Sequence, residues 1–256
     1  MATEHGRRSL EGRCAVVTGV GSGLGQAIAR EFATEGALVV GCDVNDAAGE
    51  ATMAGIGTYL HADVSRETEV EGLIAAAVER HGRLHVMVNN AAVQIEQELA
   101  ETTEEQLDRI LAVNLKGVFF GCKHAVRAMR PAGGGAIVNI ASILGLVGDG
   151  ILAAYCAAKG GVLGITRATA VQYGRDGIRC NAVCPGDIDT PLVQAYFDTA
   201  ADPAALRAEI SAEYPLERIA APREVARAVV FLAGEDASFM SGQPLVVDGG
   251  LLATCY

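Results

Sequence analysis

Seven short apolar runs, rich in β-branched residues, recur along the chain at 14–18, 37–43, 58–63, 84–90, 136–142, 178–184 and 244–248. Helical patterns lie between them, notably at 24–35, 66–81, 103–130, 153–175 and 222–233. Strands that alternate with helices of this length are typical of βαβ units and a parallel sheet. The nearly continuous apolar strands further indicate a sheet covered on both faces. We therefore predict an α/β, doubly wound fold of about seven parallel strands flanked by helices, with residues 1–256 forming a single domain.

Two long connections follow the fifth and sixth predicted strands. They span residues 143–152 after the fifth strand and 186–221 after the sixth. In an open α/β sheet the ligand binds beyond the carboxyl ends of the strands, so loops at that edge build the binding site. The second connection carries enough apolar residues to close over a ligand. We predict that it forms a substrate lid at about 188–215, with short helices.

The composition and charge of the chain favour a small-molecule ligand. Half of the residues are hydrophobic, which is ample for a buried core, and the formal net charge is −11. An acidic surface repels phosphate backbones and anionic lipids on average, so neither nucleic acid nor a membrane is an expected partner. We find no signal peptide, and no segment reaches about 18 apolar residues without a charge or glycine, so we expect a cytoplasmic protein.

Seven cysteines are spread along the chain without a C-x-x-C pair. An odd number in this arrangement fits reduced thiols better than a set of disulfides. Cys180 and Cys184 alternate within a predicted strand and have no histidine near them in the sequence. We therefore expect them to pack in the core, and we predict no metal site.

The first predicted strand runs directly into the glycine-rich sequence TGVGSGLG at residues 18–25. Gly19, Gly23 and Gly25 allow the backbone to approach a pyrophosphate, and a helix that opens near Leu24 directs its positive end at that anion. The spacing does not satisfy the G-x-G-x-x-G pattern, and a glycine cluster by itself also fits an ordinary tight turn. Its position between a strand and a helix favours phosphate binding.

Asp43 ends the second predicted strand, 20 residues after Gly23. An acid at this position accepts hydrogen bonds from the adenosine ribose hydroxyls, although an Asp in a DVND sequence also suits a simple turn. The same carboxylate would repel the additional 2′-phosphate of NADP. No Lys or Arg lies between Thr18 and Gln26, and none follows Asp43 until Arg66. The sequence therefore predicts NAD as the cofactor.

Tyr155 and Lys159 stand four residues apart in the alanine-rich segment AAYCAAKGG. In a helix this spacing puts both side chains on one face, where the ammonium would lower the pKa of the phenol toward the working pH of a proton-transfer group. Taken alone, the pair fits a surface Tyr and Lys on an alanine-rich helix better than a catalytic pair. Ser142 at the end of the fifth strand and Asn114 in the preceding helical stretch favour a shared site instead.

Together these motifs resemble the short-chain dehydrogenase/reductase family. TGVGSGLG matches the family's cofactor turn, ADV at 62–64 resembles its adenine-flanking segment, and NNAA at 89–92 resembles its N-N-A-G motif. PGDIDTP at 185–191 matches the segment that lines the nicotinamide, and the resemblance extends from about residue 10 to VVDGG at 246–250. Ala92 replaces the usual glycine, and His85 stands where many relatives have Asp; we interpret His85 as structural.

The resemblance implies a Rossmann fold and a catalytic tetrad of Asn114, Ser142, Tyr155 and Lys159. In this family pattern Tyr155 exchanges a proton with the substrate, Ser142 hydrogen-bonds the substrate oxygen, and Lys159 lowers the pKa of Tyr155 and holds the nicotinamide ribose. Asn114 would help to keep a water that passes the proton onward. The cofactor contacts implied, besides Tyr155 and Lys159, are Gly19, Gly23, Leu24, Gly25, Asp43, Asp63, Val64, Asn90, Ala91, Pro185, Gly186, Ile188 and Thr190.

We therefore predict an oxidoreductase that transfers a hydride between NAD(H) and a secondary alcohol or ketone, as a homo-oligomer that the resemblance suggests is a tetramer. The alternative from a different class is a catalytically silent NAD-binding sensor. Such a protein would be expected to lose Tyr155, Lys159 or Ser142, and all three are present. A sugar-nucleotide epimerase of related architecture usually carries an extra substrate domain, for which 256 residues leave little room.

The expected substrate contacts are Gln94, Ser142, Leu144, Leu152, Asp187, Val193 and Tyr196. They include no Lys or Arg, although a carboxylate substrate is normally met by a cation. Hydroxybutyrate dehydrogenases, which the chain resembles around Gln94, carry a Lys at the position of Leu152. We therefore predict an uncharged secondary alcohol or ketone as the substrate, with a hydroxy acid or a sugar as the alternative. Arg207 in the lid is the first cation that would serve a hydroxy acid.

Overall fold

Seven parallel strands form one sheet in the order β3-β2-β1-β4-β5-β6-β7. They belong to a computed structural model that describes residues 9–254, so the first eight and last two residues of the predicted domain lie outside it. The strands are β1 (Cys14–Thr18), β2 (Leu38–Asp43), β3 (Gly57–His61), β4 (Val86–Asn89), β5 (Gly135–Ile140), β6 (Ile178–Pro185) and β7 (Pro244–Val247). The prediction of a doubly wound parallel sheet is confirmed. The strand order reverses between β1 and β4, where a ligand crevice opens in such sheets.

Nine α-helices accompany these strands within the described part of the chain. They are α1 (Gly23–Thr34), α2 (Asp46–Met53), α3 (Glu67–His81), α4 (Glu104–Leu111), α5 (Gly117–Met129), α6 (Ala153–Tyr173), α7 (Pro191–Phe197), α8 (Pro203–Glu213) and α9 (Pro222–Ala233). A π-helical turn, Ala112–Lys116, joins α4 to α5, so the stretch predicted as one helix is continuous but irregular. The predicted lid contains α7 and α8, each with a proline in its first turn.

Both faces of the sheet are buried, as the continuous apolar runs predict. In β1 all five residues are buried and alternate between the faces. Val16 packs into a cluster with residues of α3, α5 and α6, whereas Val17 packs into a second cluster with residues of α1 and α9. Phe32 of α1 has no exposed surface, and burying a side chain of this size contributes about 2–3 kcal/mol.

Helix α2 was not predicted, because its sequence DAAGEATM lacks an apolar period. Asn45 starts the helix by accepting a hydrogen bond from the amide of Ala48, which satisfies one of the free amides at a helix N-terminus. Gly49 sits under the ring of Tyr59, where a Cβ atom would lie 2.0 Å from a ring carbon. Tertiary packing thus holds a helix that its own residues only weakly favour.

His85 is structural in this fold, because it joins the starts of two strands. Its Nδ1 accepts a hydrogen bond from the backbone amide of Cys14 at 3.0 Å. Burial, followed by the charges of Arg83 and Arg13, lowers the pKa of His85, so the ring is held in the neutral form that can accept this bond.

The six cysteines among the described residues are free thiols, and Cys255 lies outside them. Cys180 and Cys184 are buried within β6, which agrees with the expected core packing. None of the helices between residues 9 and 254 has the length and apolar content needed to cross a membrane.

Candidate active site

A cavity of about 1110 Å³ opens at the carboxyl ends of the strands and extends under the lid helices. Every residue predicted to contact cofactor or substrate lines it, although they come from loops far apart in the sequence. The cofactor set is Gly19, Gly23, Leu24, Gly25, Asp43, Asp63, Val64, Asn90, Ala91, Tyr155, Lys159, Pro185, Gly186, Ile188 and Thr190. The substrate set is Gln94, Ser142, Leu144, Leu152, Asp187, Val193 and Tyr196. The structure therefore brings both sets to one place.

The glycine-rich turn leaves β1 and enters α1 at one end of this cavity. Gly19 and Gly23 have φ angles of +73° and +53°, which are strained for residues with a side chain. A Cβ atom on Gly25 would lie 1.9 Å from the carbonyl oxygen of Gly19, so only glycine fits there. The turn thus brings bare backbone to the N-terminus of α1, an arrangement that suits a pyrophosphate.

Asp43 extends its carboxylate into the cavity beside this turn. Its Oδ2 accepts a hydrogen bond from the amide of Gly21 at 2.8 Å, and its Oδ1 accepts one from the amide of Asn45 at 2.9 Å. Tyr59 fixes the local backbone by donating to the carbonyl oxygen of Asp43 at 2.8 Å. A carboxylate has about four acceptor positions, so both oxygens can accept further bonds from ribose hydroxyls.

Thr18 and Asn90 hold β1 and β4 together at the point where the strand order reverses. Thr18 Oγ1 accepts hydrogen bonds from the amides of Asn90 and Ala91 at 3.0 and 3.1 Å. The side-chain amide of Asn90 donates to the carbonyl oxygen of Thr18 at 2.8 Å. These bonds fix the floor of the crevice under the predicted cofactor contacts.

Ser142 follows β5 and begins a short 3₁₀ turn, Ile143–Gly145. Its Oγ accepts a hydrogen bond from the amide of Leu144 at 3.1 Å. This contact uses an acceptor position of the hydroxyl, so its proton remains able to point at an oxygen in the cavity.

Tyr155 and Lys159 lie on the same face of α6, as their spacing predicts. The Nζ atom of Lys159 lies 5.3 Å from the centroid of the Tyr155 ring and donates to the carbonyl oxygen of Ile140 at 2.8 Å. Lys159 is only 2% exposed, and this burial lowers its pKa from 10.5 to about 8. The ammonium form is therefore still populated at neutral pH.

The pKa of Tyr155 is raised in this structure, the opposite of the net lowering expected from its pairing with Lys159. Burial raises the pKa of the phenol, and the negative charges of Cys156 and Asp187 raise it further. The ammonium of Lys159 lies 5.3 Å from the ring centroid, and burial is the largest cause of the raised pKa. Tyr155 therefore carries its proton at neutral pH, the form in which it can donate to a carbonyl oxygen.

Asn114 does not line the cavity; it lies buried behind the wall, in the π-helical turn between α4 and α5. Its Oδ1 accepts a hydrogen bond from the amide of Val93 at 2.8 Å, and its Nδ2 donates to the carbonyl oxygen of the same residue at 2.7 Å. Val93 does line the cavity. Asn114 therefore fixes the wall after β4, and π-helical turns of this kind are frequent at functional sites.

Two cations, Lys159 and Arg109, line the cavity within the described residues. Sequence analysis missed Arg109. Burial would raise the pKa of Asp63, but hydrogen bonds from Ser65 and the charge of Arg109 lower it. Arg109 therefore lies near Asp63, at the end of the cavity where the resemblance puts adenine.

Arg207 is paired with an acid of the lid and does not line the cavity. Its guanidinium donates to both carboxylate oxygens of Asp189, at 3.0 and 2.8 Å, and lies 5.7 Å from the ring centroid of Phe197. This pairing explains why Arg207 is not among the lining residues. The lid thus neutralises the cation that a hydroxy-acid substrate would need.

Tyr214, at the end of α8, is a further lining residue that sequence analysis missed. It is 3% exposed, and its hydroxyl donates to Oδ2 of Asp187 at 2.8 Å and accepts from the amide of Asp187 at 2.8 Å. The two residues are 27 positions apart, so no local pattern connects them.

The chain is similar to known proteins over nearly its whole length. The family model described as "Enoyl-(Acyl carrier protein) reductase" matches residues 19–252. The chain is 41% identical to 2-(R)-hydroxypropyl-CoM dehydrogenase of Xanthobacter autotrophicus, over 94% of this chain and 99% of that protein. It is 44% identical to cis-4-hydroxycyclohexanecarboxylate dehydrogenase of Sinomonas cyclohexanicum, over 94% and 97%. The crystal structure of levodione reductase superposes with a TM-score of 0.93 at 36% identity, covering 96% of this chain and 100% of that one.

Proposed function

Because the chain belongs to the short-chain dehydrogenase/reductase family, we propose that it transfers a hydride between NAD(H) and an uncharged secondary alcohol or ketone. The family makes it an oxidoreductase with a nicotinamide cofactor. The observation that carries the finer proposal is the single cavity in which Tyr155, Ser142 and Lys159 lie with Asp43 and the glycine-rich turn.

The chain's own residues fit a nicotinamide dinucleotide. The bare backbone at Gly19, Gly23 and Gly25 and the N-terminus of α1 suit the pyrophosphate, and Asp43 suits the adenosine ribose. When bound, the nicotinamide accepts or supplies the hydride. NAD is favoured over NADP because the carboxylate of Asp43 would face the additional phosphate. Among residues 9–254, Arg109 is the only cation that lines the cavity near this end, and it lies close to another carboxylate, that of Asp63.

Proton transfer in this proposal belongs to Tyr155. In ketone reduction its protonated phenol donates to the carbonyl oxygen, and Ser142 stabilises the same oxygen by a hydrogen bond as negative charge develops there. In alcohol oxidation Tyr155 accepts the hydroxyl proton and must first be deprotonated. The ammonium of Lys159 is the positive charge that this chain supplies to favour the deprotonated form. Asn114 acts as a positioning residue, because it touches the cavity only through Val93.

The substrate end of the cavity supports an uncharged compound. Leu144, Leu152 and Val193 provide apolar walls, and the charged residue among the predicted contacts is the acid Asp187. A carboxylate placed there would lack a cation, because Arg207 is paired with Asp189. The relative named cis-4-hydroxycyclohexanecarboxylate dehydrogenase keeps a hydroxy acid as the second candidate.

A paired substrate screen tests this proposal. Reduction of NAD⁺ is measured with neutral secondary alcohols and with hydroxy acids of the same carbon skeleton, at matched concentrations. We expect higher kcat/KM values for the neutral member of each pair. Consistently higher values for the acids would refute the uncharged class, and tight NADH binding without turnover of any alcohol would favour the silent sensor.

We also propose that the protein is a homotetramer, as the family resemblance suggests. Large apolar side chains are exposed on α4 and α5, with Leu107 at 38% and Phe119 at 53%, and Phe239 is fully exposed in the monomer. Association would bury them. The apolar C-terminal tail PLVVDGGLLATCY, residues 244–256, is consistent with such burial, and its last two residues, Cys255 and Tyr256, lie outside the described residues. Light scattering at several concentrations measures the mass directly, and a monomer at all of them would overturn this proposal.

A further inference from the structure

Asp187 places a carboxylate in the substrate half of the cavity, directly after the segment Pro185–Gly186. Burial is the largest cause of the raised pKa of Tyr155, and the negative charge of Asp187 raises that pKa further. The carboxylate therefore lies close enough to affect the proton-transfer group. The proton-transfer role proposed above does not use this carboxylate. An acid so close to a group that must become an anion opposes the chemistry in the oxidation direction, so its presence calls for a separate role.

Tyr214 holds this carboxylate in one orientation. The phenol donates to Oδ2 of Asp187 and accepts from the amide of the same residue, both at 2.8 Å. Gly186 makes room for the contact, because a Cβ atom there would lie 2.9 Å from the Tyr214 hydroxyl. The second oxygen, Oδ1, takes no part in this clamp and can accept a hydrogen bond from a ligand in the cavity.

We propose that Asp187 is a specificity-determining residue that accepts a hydrogen bond from a second hydroxyl of the substrate. The preferred substrate class is then a diol, or the hydroxy ketone formed from it. This inference rests on the proposed function, since it concerns the same cavity and the same hydride transfer. One hydroxyl loses its proton to Tyr155 while its carbon loses a hydride to NAD⁺, and the second hydroxyl is bound without reacting.

A hydroxyl suits this acceptor better than a charged group. A second carboxylate would be repelled by Asp187, which agrees with the absence of a free cation among the described substrate contacts. An ammonium loses far more hydration than a hydroxyl when it enters a cavity, and pairing with one carboxylate offsets only part of that cost. A hydroxyl is neutral and needs one acceptor, which Oδ1 of Asp187 provides.

The test compares pairs of neutral alcohols that differ only in the second hydroxyl. Cyclohexanol and its vicinal diol form one pair, an open-chain secondary alcohol and its vicinal diol form another, and the corresponding amino alcohol is added to each. The kcat/KM with NAD⁺ is measured for the wild type and for Asp187→Leu, Asp187→Asn and Tyr214→Phe. Asp198→Asn is the matched control, because Asp198 is an exposed lid acid that does not line the cavity.

We expect the wild type and Asp198→Asn to prefer the diol by about tenfold to a hundredfold, since a hydrogen bond to a charged group has that effect. Asp187→Leu should bring the ratio of diol to monoalcohol close to one, and Asp187→Asn and Tyr214→Phe should give intermediate ratios. Thermal stability and NADH affinity serve as checks that each variant is folded.

The outcomes separate this inference from the function on which it rests. Turnover of both members of each pair with a ratio near one in the wild type would overturn the diol preference and leave the dehydrogenase intact. A ratio unchanged in folded Asp187→Leu, or an amino alcohol preferred over the diol, would also overturn it. Failure of every alcohol would refute the proposed function itself, and the inference with it.

Discussion

In the proposed function, Asp43 sets the choice between NAD and NADP. The informative perturbation removes its charge and adds a cation beside it, as Asp43→Ala combined with Val44→Arg. Val44 is suited to this change because it is 59% exposed and lines the same cavity. The glycine-rich turn loses one side-chain contact, from the amide of Gly21, and its backbone contacts remain.

The size of the effect follows from the charges. A carboxylate and a phosphate about 4 Å apart repel each other by about 1 kcal/mol in water and about 4 kcal/mol at an effective dielectric constant of about 20. With each 1.4 kcal/mol equal to a factor of ten, the wild type should prefer NAD⁺ by about 5-fold to about 1000-fold. The cavity opens to solvent at this end, so we expect the lower half of that range. The double variant replaces repulsion by attraction, and its preference should narrow or invert.

The assay is kcat/KM for NAD⁺ and for NADP⁺ with one alcohol substrate. Glu50→Gln is the matched control, since it removes one negative charge from the exposed side of the adjacent helix α2 without touching the cavity. We expect the control to keep the wild-type preference. Equal values or an advantage for NADP⁺ in the wild type would refute the role assigned to Asp43.

Three further variants test separate parts of the site. Burial lowers the pKa of Lys159 to about 8, so between pH 8 and 10.5 the folded chain binds fewer protons than the unfolded one. The unfolding free energy of the wild type should therefore rise with pH in this range by up to about 3 kcal/mol relative to that of Lys159→Met. The same pH dependence in both proteins would contradict this. Asn114→Ala removes two hydrogen bonds to the partly buried backbone of Val93 and should cost about 1–3 kcal/mol by urea denaturation, whereas a loss below about 0.5 kcal/mol would show that the bonds matter little. Arg207→Ala should leave the preference for neutral over acidic substrates unchanged, because the guanidinium is bound to Asp189. A selective loss of hydroxy-acid turnover in this variant would show that Arg207 reaches the substrate.

Much of the site was predictable because it depends on strand ends. In a parallel sheet, the residues that follow successive strands meet at one edge, so Asp43, Asn90, Ser142 and Gly186 had to converge once their strands were identified. The spacing of Tyr155 and Lys159 on one helix face was equally local. These predictions required only the spacing of residues within a helix and the order of the strands along the chain.

The residues that sequence analysis missed depend on tertiary contacts. Tyr214 reaches Asp187 across 27 positions, and Arg207 finds Asp189 across 18 positions. No regular sequence spacing relates such pairs. The sequence therefore shows that the lid contains one cation, Arg207, but not which residue that cation contacts. The position of Arg109 was not predicted for the same reason, since it lines the cavity although α4 is largely exposed.

The pKa of Tyr155 illustrates a different limit of prediction from sequence. The sequence contains the cation beside the phenol, and that alone predicts a lowered pKa. It does not show how far burial removes water from both groups, and desolvation turns out to be the larger effect. Helix α2 was missed for a related reason, since its stability comes from Tyr59 and the sheet and not from its own apolar pattern.

The most direct test of Tyr155 as the proton-transfer group is deuterium transfer by the wild type and by Tyr155→Phe. A secondary alcohol deuterated at its carbinol carbon is mixed with NAD⁺ and enzyme, and the rate at which deuterium appears in NADH is followed by mass spectrometry. We expect the wild type to transfer the label and Tyr155→Phe to transfer it about 10² to 10⁴ times more slowly, because that is the usual contribution of general acid–base catalysis. NADH binding should be largely kept. Retention of more than about a tenth of the wild-type rate would contradict the assignment of proton transfer to Tyr155.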